Sequence, residues 1–243
     1  MRQPTFWNLI KAENGQSAEL RIIGDIVDDD TAWFYEWLGW NCTSPGEIRA
    51  QLADLGGAPL TVWIDSYGGD VVAASAIYTA LMEYKGDVTG KIDGAAYSAA
   101  SIIAMACDKV LMSPTATMMI HLPWTRTEGN ANDMRHTADV LDQVSETLIN
   151  AYEIKTGKPR SEINALLEAE TWMSAQKAIS LGFADGMLYE WESETAQDGV
   201  VAQAKRVYAM AKKGKELPAM AKTEEDDWAK RAAMRLALEE KRT

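Results

Sequence analysis

Apolar and polar positions alternate in short blocks along the first two-thirds of the chain, and the period of the alternation changes from block to block. AELRIIGDI, residues 18 to 26, has strand composition and runs into an acidic turn, Asp28-Asp29-Asp30. TAWFYEWLGW comes next, with Trp33, Trp37 and Trp40 at i, i+4 and i+7, one face of a helix. That face reads as a core stripe; the alternative is an aromatic docking surface between subunits. Ser44-Pro45-Gly46-Glu47 has the form of a helix start, and the helix it opens ends at Gly56-Gly57. LTVWID, 60 to 65, is a buried strand, SYGGD a tight turn, and VVAASAIYTALMEYK a helix opened by Asp70. DVTGKID, 87 to 93, is a further strand, after which IDGAAYSAASIIAMA carries the chain through a turn into another helix. KVLMS and ATMMIHL read as two short strands.

Strand and helix in turn predict an α/β fold with a parallel sheet and right-handed crossovers. A long amphipathic helix is expected from about Ala131 to Lys155, with Met134, Ala138, Leu141, Val144, Leu148 and Ala151 near one face. Two short helical pieces come after it, capped by Ser161 and Ser174, and Gly182 closes the second. After Trp191 the composition shifts to Ala, Lys and Glu with few large apolar residues. Residues 1–191 are therefore expected to form one domain, and residues 192–243 a charged, partly helical appendage.

Composition narrows the function. The chain has 243 residues, 47% of them hydrophobic, enough for one sizeable core plus a tail. A net charge of −12 disfavours nucleic acid and anionic membrane as partners. Cys42 and Cys107 have no metal-ligand spacing and read as thiols in a reducing cytosol. The first fifteen residues hold no continuous apolar run of the signal-peptide kind, and no apolar run is long enough to span a bilayer. A cytoplasmic protein is the expectation.

There are two histidines. His136 falls mid-helix among polar residues, the pattern of a solvated surface; His121 ends the strand-like MMIHLP, a better place for a catalytic base. Ser98 stands at the turn into a helix whose first N–H groups lack intrahelical partners, with Gly94 giving backbone freedom. Taken alone, Ser98 reads as a small packing serine rather than a nucleophile, and Ser101 is read as a packing serine throughout. Gly68-Gly69 also comes after a strand and opens a helix, and two glycines let a backbone present N–H groups to an anion. Adjacent parallel strands end in one crevice, so the glycine turn and the Ser98 turn should be neighbours.

These segments resemble the ClpP family of serine peptidases, whose fold is the crotonase-like spiral of ββα repeats with a long protruding handle helix. IDSYGGDV resembles the family's Asn-Ser-Pro-Gly-Gly turn, with Asp65 and Tyr67 as departures. GAAYSAAS resembles its nucleophile segment, with Ala96 in the alanine place, Tyr97 as an insertion-like departure, and Ala99 and Ala100 replacing Met-Gly. MMIHLP and TGKPRSEINALLEAETWMSAQKAISLGFADGM match two further segments in order, so the similarity covers about residues 18 to 190. The resemblance implies Ser98 as nucleophile, His121 as general base, the N–H groups of Gly69 and Ala99 as oxyanion donors, and Gly68 in a substrate-binding turn. The family has an aspartate just before its aromatic-x-Ser-Ala segment, where this chain has Glu170. A glutamate can hold the imidazole as Ser-His-Glu triads do, though its extra methylene moves the carboxylate. Asp185 is the fallback, matching a different aspartate of the family.

The activity implied by the resemblance is peptide-bond hydrolysis by acyl transfer, requiring no metal or organic cofactor. The polypeptide substrates would be capsid or scaffold proteins in the phage and prophage head-maturation branch, which GGD, HLPWT, ETWMSA and the tail resemble. The alternative is the proteolytic subunit fed by an AAA+ unfoldase. Residues 131–156 match the family's handle, which implies a homo-oligomeric ring, a heptamer or a double ring. Acyl-CoA hydratases share the fold but lack a Ser–His pair at these positions. A catalytically silent ring-forming scaffold is the reading from another class.

Overall fold

Along each main strand buried and open positions alternate, because one face of a strand points into the core and the other away from it. The computed structural model describes residues 9–11 and 17–189. Its elements in chain order are β1 (Leu9–Lys11), β2 (Ala18–Ile26), α1 (Asp29–Leu38), β3 (Cys42–Thr43), α2 (Pro45–Ala53), β4 (Leu60–Gly69), α3 (Val71–Met82), β5 (Val88–Tyr97) and α4 (Ala99–Met105). Next come β6 (Lys109–Met112), β7 (Thr117–Ile120), α5 (Ala131–Thr156), α6 (Arg160–Glu168), β8 (Thr171–Ser174), α7 (Ala175–Leu181) and β9 (Gly186–Met187). The sheet order is β1-β2-β4-β5-β6-β9, with β3 on β2 and β7 between β5 and β8. All pairs are parallel except β1 with β2 and β7 with β8. This is the expected α/β fold.

Leu20, Ile22, Val62, Ile64 and Ile92 are fully buried on the inner face of the sheet. Ala74 and Ile77 of α3 and all seven residues of α4 pack on them, each large side chain contributing roughly 1.5–3 kcal/mol. Strand β5 changes partner along its length: residues 89–92 pair with β6 and residues 95–97 with β7. That change joins the end of β5 to β7, and through β7 to β8, within the same sheet.

The long helix α5 has 26 residues, about 39 Å at 1.5 Å per residue. Its buried residues, Leu148, Ile149, Ala151 and Tyr152, all lie in the second half. Met134 and Ala138 of the expected stripe are exposed, so that half of the face leaves the core. The base of the helix is tied down by Lys155, whose Nζ donates to the carbonyls of Cys107 (3.2 Å) and Asp108 (3.1 Å) and to Asp185 Oδ2 (2.9 Å). Arg160 on α6 bridges back to Glu146 and Glu153 of α5.

Several expectations are corrected. The tryptophan face of α1 is no core stripe: Trp33, Trp37 and Trp40 are 64%, 74% and 57% exposed, and α1 has no buried residue. Capping holds that helix instead, with Asp28 accepting from Thr31 N and Gly39 closing it in the left-handed conformation. Ser44 precedes α2 in extended conformation without a side-chain cap, and α2 stops at Ala53. SYGGD is not a separate turn, since β4 runs on through Gly69. Similarly, β5 runs to Tyr97, so Ser98 comes directly after the strand. Tyr97 is the last residue of β5 and pairs with Met119 of β7. Ser161 lies inside α6, behind Pro159 at the cap, whereas Ser174 and Gly182 cap α7 as expected. Between these two helices lies a further strand, β8, that local sequence pattern does not announce. The expected appendage, 192–243, lies outside the described residues. Among the described residues no helix is long and apolar enough to cross a membrane.

Candidate active site

Ser98 is the residue between β5 and α4, with φ 51° and ψ −124°. A non-glycine residue with positive φ persists only where its surroundings hold it. The Ser98 N–H donates to Met119 O at 2.8 Å. Its carbonyl accepts from Ser101 N (2.9 Å) and from Ser101 Oγ (2.6 Å). Ser101 Oγ also bonds Tyr152 Oη at 2.8 Å. Burial pushes the Tyr152 phenol well up, partly offset by the Ser101 bond, so it stays protonated. Ser101 is thus the packing serine expected, and also a brace between the Ser98 turn and the long helix α5.

His121 directly follows the buried Ile120 at the end of β7, and its Nε2 lies 2.7 Å from Ser98 Oγ. The pairing of β5 with β7, Tyr97 with Met119, sets the two side chains at neighbouring strand ends.

Gly68 has φ +96°. A Cβ there would sit 2.7 Å from Tyr97 O, 2.9 Å from Ser98 Cβ and 3.0 Å from Ala99 N. The glycine end of β4 therefore packs directly on the Ser98 segment, as a shared crevice at the strand ends requires. Ser66 fixes it from below, donating to Gly24 O (2.6 Å) and accepting from Gly68 N (3.1 Å). Gly69 pairs with Ile26 of β2, and it is the next N–H, that of Asp70, that donates to Ile26 O at 2.8 Å. Ala99 opens α4. Gly94 does not serve backbone freedom: a Cβ there would collide with the Asp65 carboxylate, which accepts from Ala95 N at 3.0 Å.

Glu170 precedes β8, with φ 45°. The antiparallel register ends with Ile120 opposite Thr171, so His121 and Glu170 each stand one residue beyond the last pair. The carboxylate, however, accepts from Trp172 Nε1 at 3.2 Å, and among the described residues the His121 ring bonds only Ser98. Asp185 is occupied elsewhere: Oδ2 accepts from Val110 N (2.6 Å) and Lys155 Nζ, pinning the base of α5. His136 is exposed on α5.

The residues that sequence reasoning missed are aromatic. Tyr67 stacks on Tyr97 (5.4 Å, 25°), and Tyr97 meets Trp172 edge to face (4.9 Å, 71°). Tyr97 Oη bonds Thr117 Oγ1 at 2.6 Å. Tyr67 and Tyr97 are the two aromatic departures from the family pattern, and that was the available signal.

A serine hydroxyl bonded to a histidine beside a helix start, at the ends of parallel strands, is the arrangement of a serine-type peptidase on an α/β scaffold. The chain belongs to the Clp protease family, whose family model matches residues 45–190. It is 30% identical over 145 residues to the ATP-dependent Clp protease proteolytic subunit 2 of Thermobifida fusca, covering 59% of this chain and 71% of that protein. It is likewise 30% identical over 139 residues to proteolytic subunit 1 of Chlamydia muridarum, covering 56% and 72%.

Proposed function

We propose that this chain hydrolyses peptide bonds as a serine endopeptidase, with Ser98, His121 and Glu170 as the triad. The observation that carries the reading is the 2.7 Å bond between Ser98 Oγ and His121 Nε2. Accepting the hydroxyl proton at Nε2 leaves the imidazole proton on Nδ1, where a carboxylate acceptor is needed. Ser98 attacks the substrate carbonyl while His121 takes its proton. The tetrahedral oxyanion is stabilised by the N–H groups of Gly69 and Ala99. Two features support that pair: the strand bond to Ile26 uses the N–H of Asp70, and Ala99 is the first residue of its helix. His121 then gives the proton to the leaving amine, and water releases the acyl group by the same path in reverse.

At the finer level the chain is read as a phage or prophage head-maturation peptidase, forming a homo-oligomeric ring and cutting scaffold or capsid polypeptides. GGD, HLPWT and ETWMSA support this branch by resemblance. A second reading, a proteolytic subunit working with an AAA+ unfoldase, is favoured by the names of the relatives. The test of the common chemistry is labelling of the full chain by a fluorophosphonate probe. Wild type should label, and Ser98→Ala and His121→Ala should not. An unlabelled wild-type assembly would refute the hydrolase reading. Casein or a cognate capsid precursor, offered with and without an ATP-driven unfoldase, separates the branches.

A further inference from the structure

Helix α1 is amphipathic in the reverse of the usual sense. Thr31, Ala32, Tyr35 and Leu38 share one side and are half-buried, whereas Trp33, Phe34 and Trp37 lie on the opposite side and are exposed. Phe34 joins the two tryptophans, edge to face with Trp33 (5.9 Å, 74°) and stacked with Trp37 (5.9 Å, 29°), so the three rings form one continuous surface. Tyr35 donates from its hydroxyl to Asp25 at 2.9 Å and meets Trp40, also exposed, edge to face at 5.8 Å. The helix lies ahead of residues 45–190, which match the family model, so that match assigns it no role.

The size of the face limits what can cover it. Its four exposed rings offer on the order of 500 Å², near the largest apolar patch of an ordinary monomer and below the roughly 800 Å² that each partner of a stable protein pair buries. A single helix or extended segment fits that area better than a second folded copy does.

Charge decides the chemistry of the segment. Asp30, Trp33, Phe34 and Trp37 stand at i, i+3, i+4 and i+7 on one helical face, and Asp29 and Glu36 flank Trp33 at i−4 and i+3. All three carboxylates are exposed. Asp28 at the cap adds a fourth, and the bonds from Thr31 favour its charged form. Between Arg21 and Arg49 the sequence has six acidic residues and no lysine or arginine. Two copies meeting by this face about a two-fold axis would set the same carboxylates opposite one another. Anionic lipid and nucleic acid meet the same repulsion.

We propose that the aromatic face of α1 is a docking surface for a basic amphipathic segment of another protein. The apolar side chains of the segment cover Trp33, Phe34 and Trp37, and its lysines or arginines meet Asp29, Asp30 and Glu36. An exposed indole also attracts a cation over its face, so the rings and the carboxylates select the same partner.

The experiment titrates the full-length chain into a labelled synthetic helix of Leu and Lys in amphipathic order, read by fluorescence anisotropy. The same peptide with Glu in place of Lys is the comparison. The Leu/Lys peptide should bind with a micromolar dissociation constant, and the Leu/Glu peptide at least about tenfold more weakly. Trp33→Ser with Trp37→Ser should weaken Leu/Lys binding by about tenfold or more. Asp30→Asn with Glu36→Gln should weaken it by about threefold or more at low salt, and by less at high salt. Asp29 is left in place because it accepts from Gly46 N at 2.7 Å. Asp139→Asn with Asp142→Asn removes the same charge from exposed positions on α5 and should change binding by less than about twofold. If the paired tryptophan variant does not melt in urea like the wild type, the Asp30/Glu36 pair decides alone. No binding of the Leu/Lys peptide, equal binding of the two peptides, unchanged binding by a well-folded tryptophan pair, or equal losses from the α1 and α5 charge pairs would overturn the proposal. A wild type that self-associates, and that Trp33→Ser with Trp37→Ser reduces to a smaller species in sedimentation, would put a second copy on the face and overturn it as well.

Discussion

Gly68→Ala tests whether the glycine end of β4 and the nucleophile segment are built as one piece. The new Cβ would lie 2.7 Å from Tyr97 O and 3.0 Å from Ala99 N, where ordinary contact begins near 3.4 Å, so something must yield by about 0.7 Å. The positive φ adds roughly 1–3 kcal/mol of backbone strain. Misplacing a catalytic group by about 1 Å costs on the order of a hundredfold in rate, so labelling of Ser98 by fluorophosphonate should slow by roughly 10- to 100-fold. Gly57→Ala is the control. It has a similar φ of +87°, but its Cβ would meet nothing closer than Lys85 Cβ at 3.5 Å, and it precedes the other end of β4. Both variants should lose stability in urea, Gly68→Ala the more because the clash adds to the strain; only Gly68→Ala should lose labelling rate. Equal labelling by the two variants would refute the packing of Gly68 on Ser98.

Burial, or its absence, sets three further expectations. Burial pushes the Cys42 thiol up to about 11 and the Cys107 thiol up to about 12, so both keep their protons when folded. The stability this confers is complete below the ordinary thiol range and is lost as pH rises from about 9 toward these values; the urea midpoint should fall between about pH 8.5 and about pH 10.5, and a flat midpoint would count against it. Trp33→Ser and Trp37→Ser, both on exposed positions, should each change the unfolding free energy by no more than about 0.5 kcal/mol, and a loss above about 2 kcal/mol would restore the core-stripe reading. Lys155→Met removes three bonds from a largely buried ammonium and should cost on the order of 2 kcal/mol in a denaturant melt, with an unshifted melt as the contrary result.

Much of the fold was legible because its core strands alternate with period two and its helices carry recognisable ends. The strand from Ala18 to Ile26 and the caps Asp70, Ser174 and Gly182 read directly from local chemistry. Two of the failures share one cause, which is that period reports a face and not what covers it. The tryptophans of α1 have helical spacing but no other described element covers them, and the buried part of the α5 stripe is where α4 and α6 reach it. The strand β8 is four residues long and owes its existence to pairing with β7, a partner more than fifty residues earlier. Ser98 and His121 were legible from strand ends and motifs. The indole contact to Glu170 was not, because it depends on a register set by that same distant pairing.

Among the described residues, only Ser98 and Glu170 combine a side chain larger than glycine's with positive φ. Both belong to the proposed triad, at its two ends. Each conformation costs roughly 1–3 kcal/mol that glycine would not incur, so stability and activity are opposed at the same two positions. Ser98→Gly and Glu170→Gly should therefore melt above the parent while abolishing or impairing hydrolysis. A programme of engineering guided by thermal tolerance alone would erase this site first.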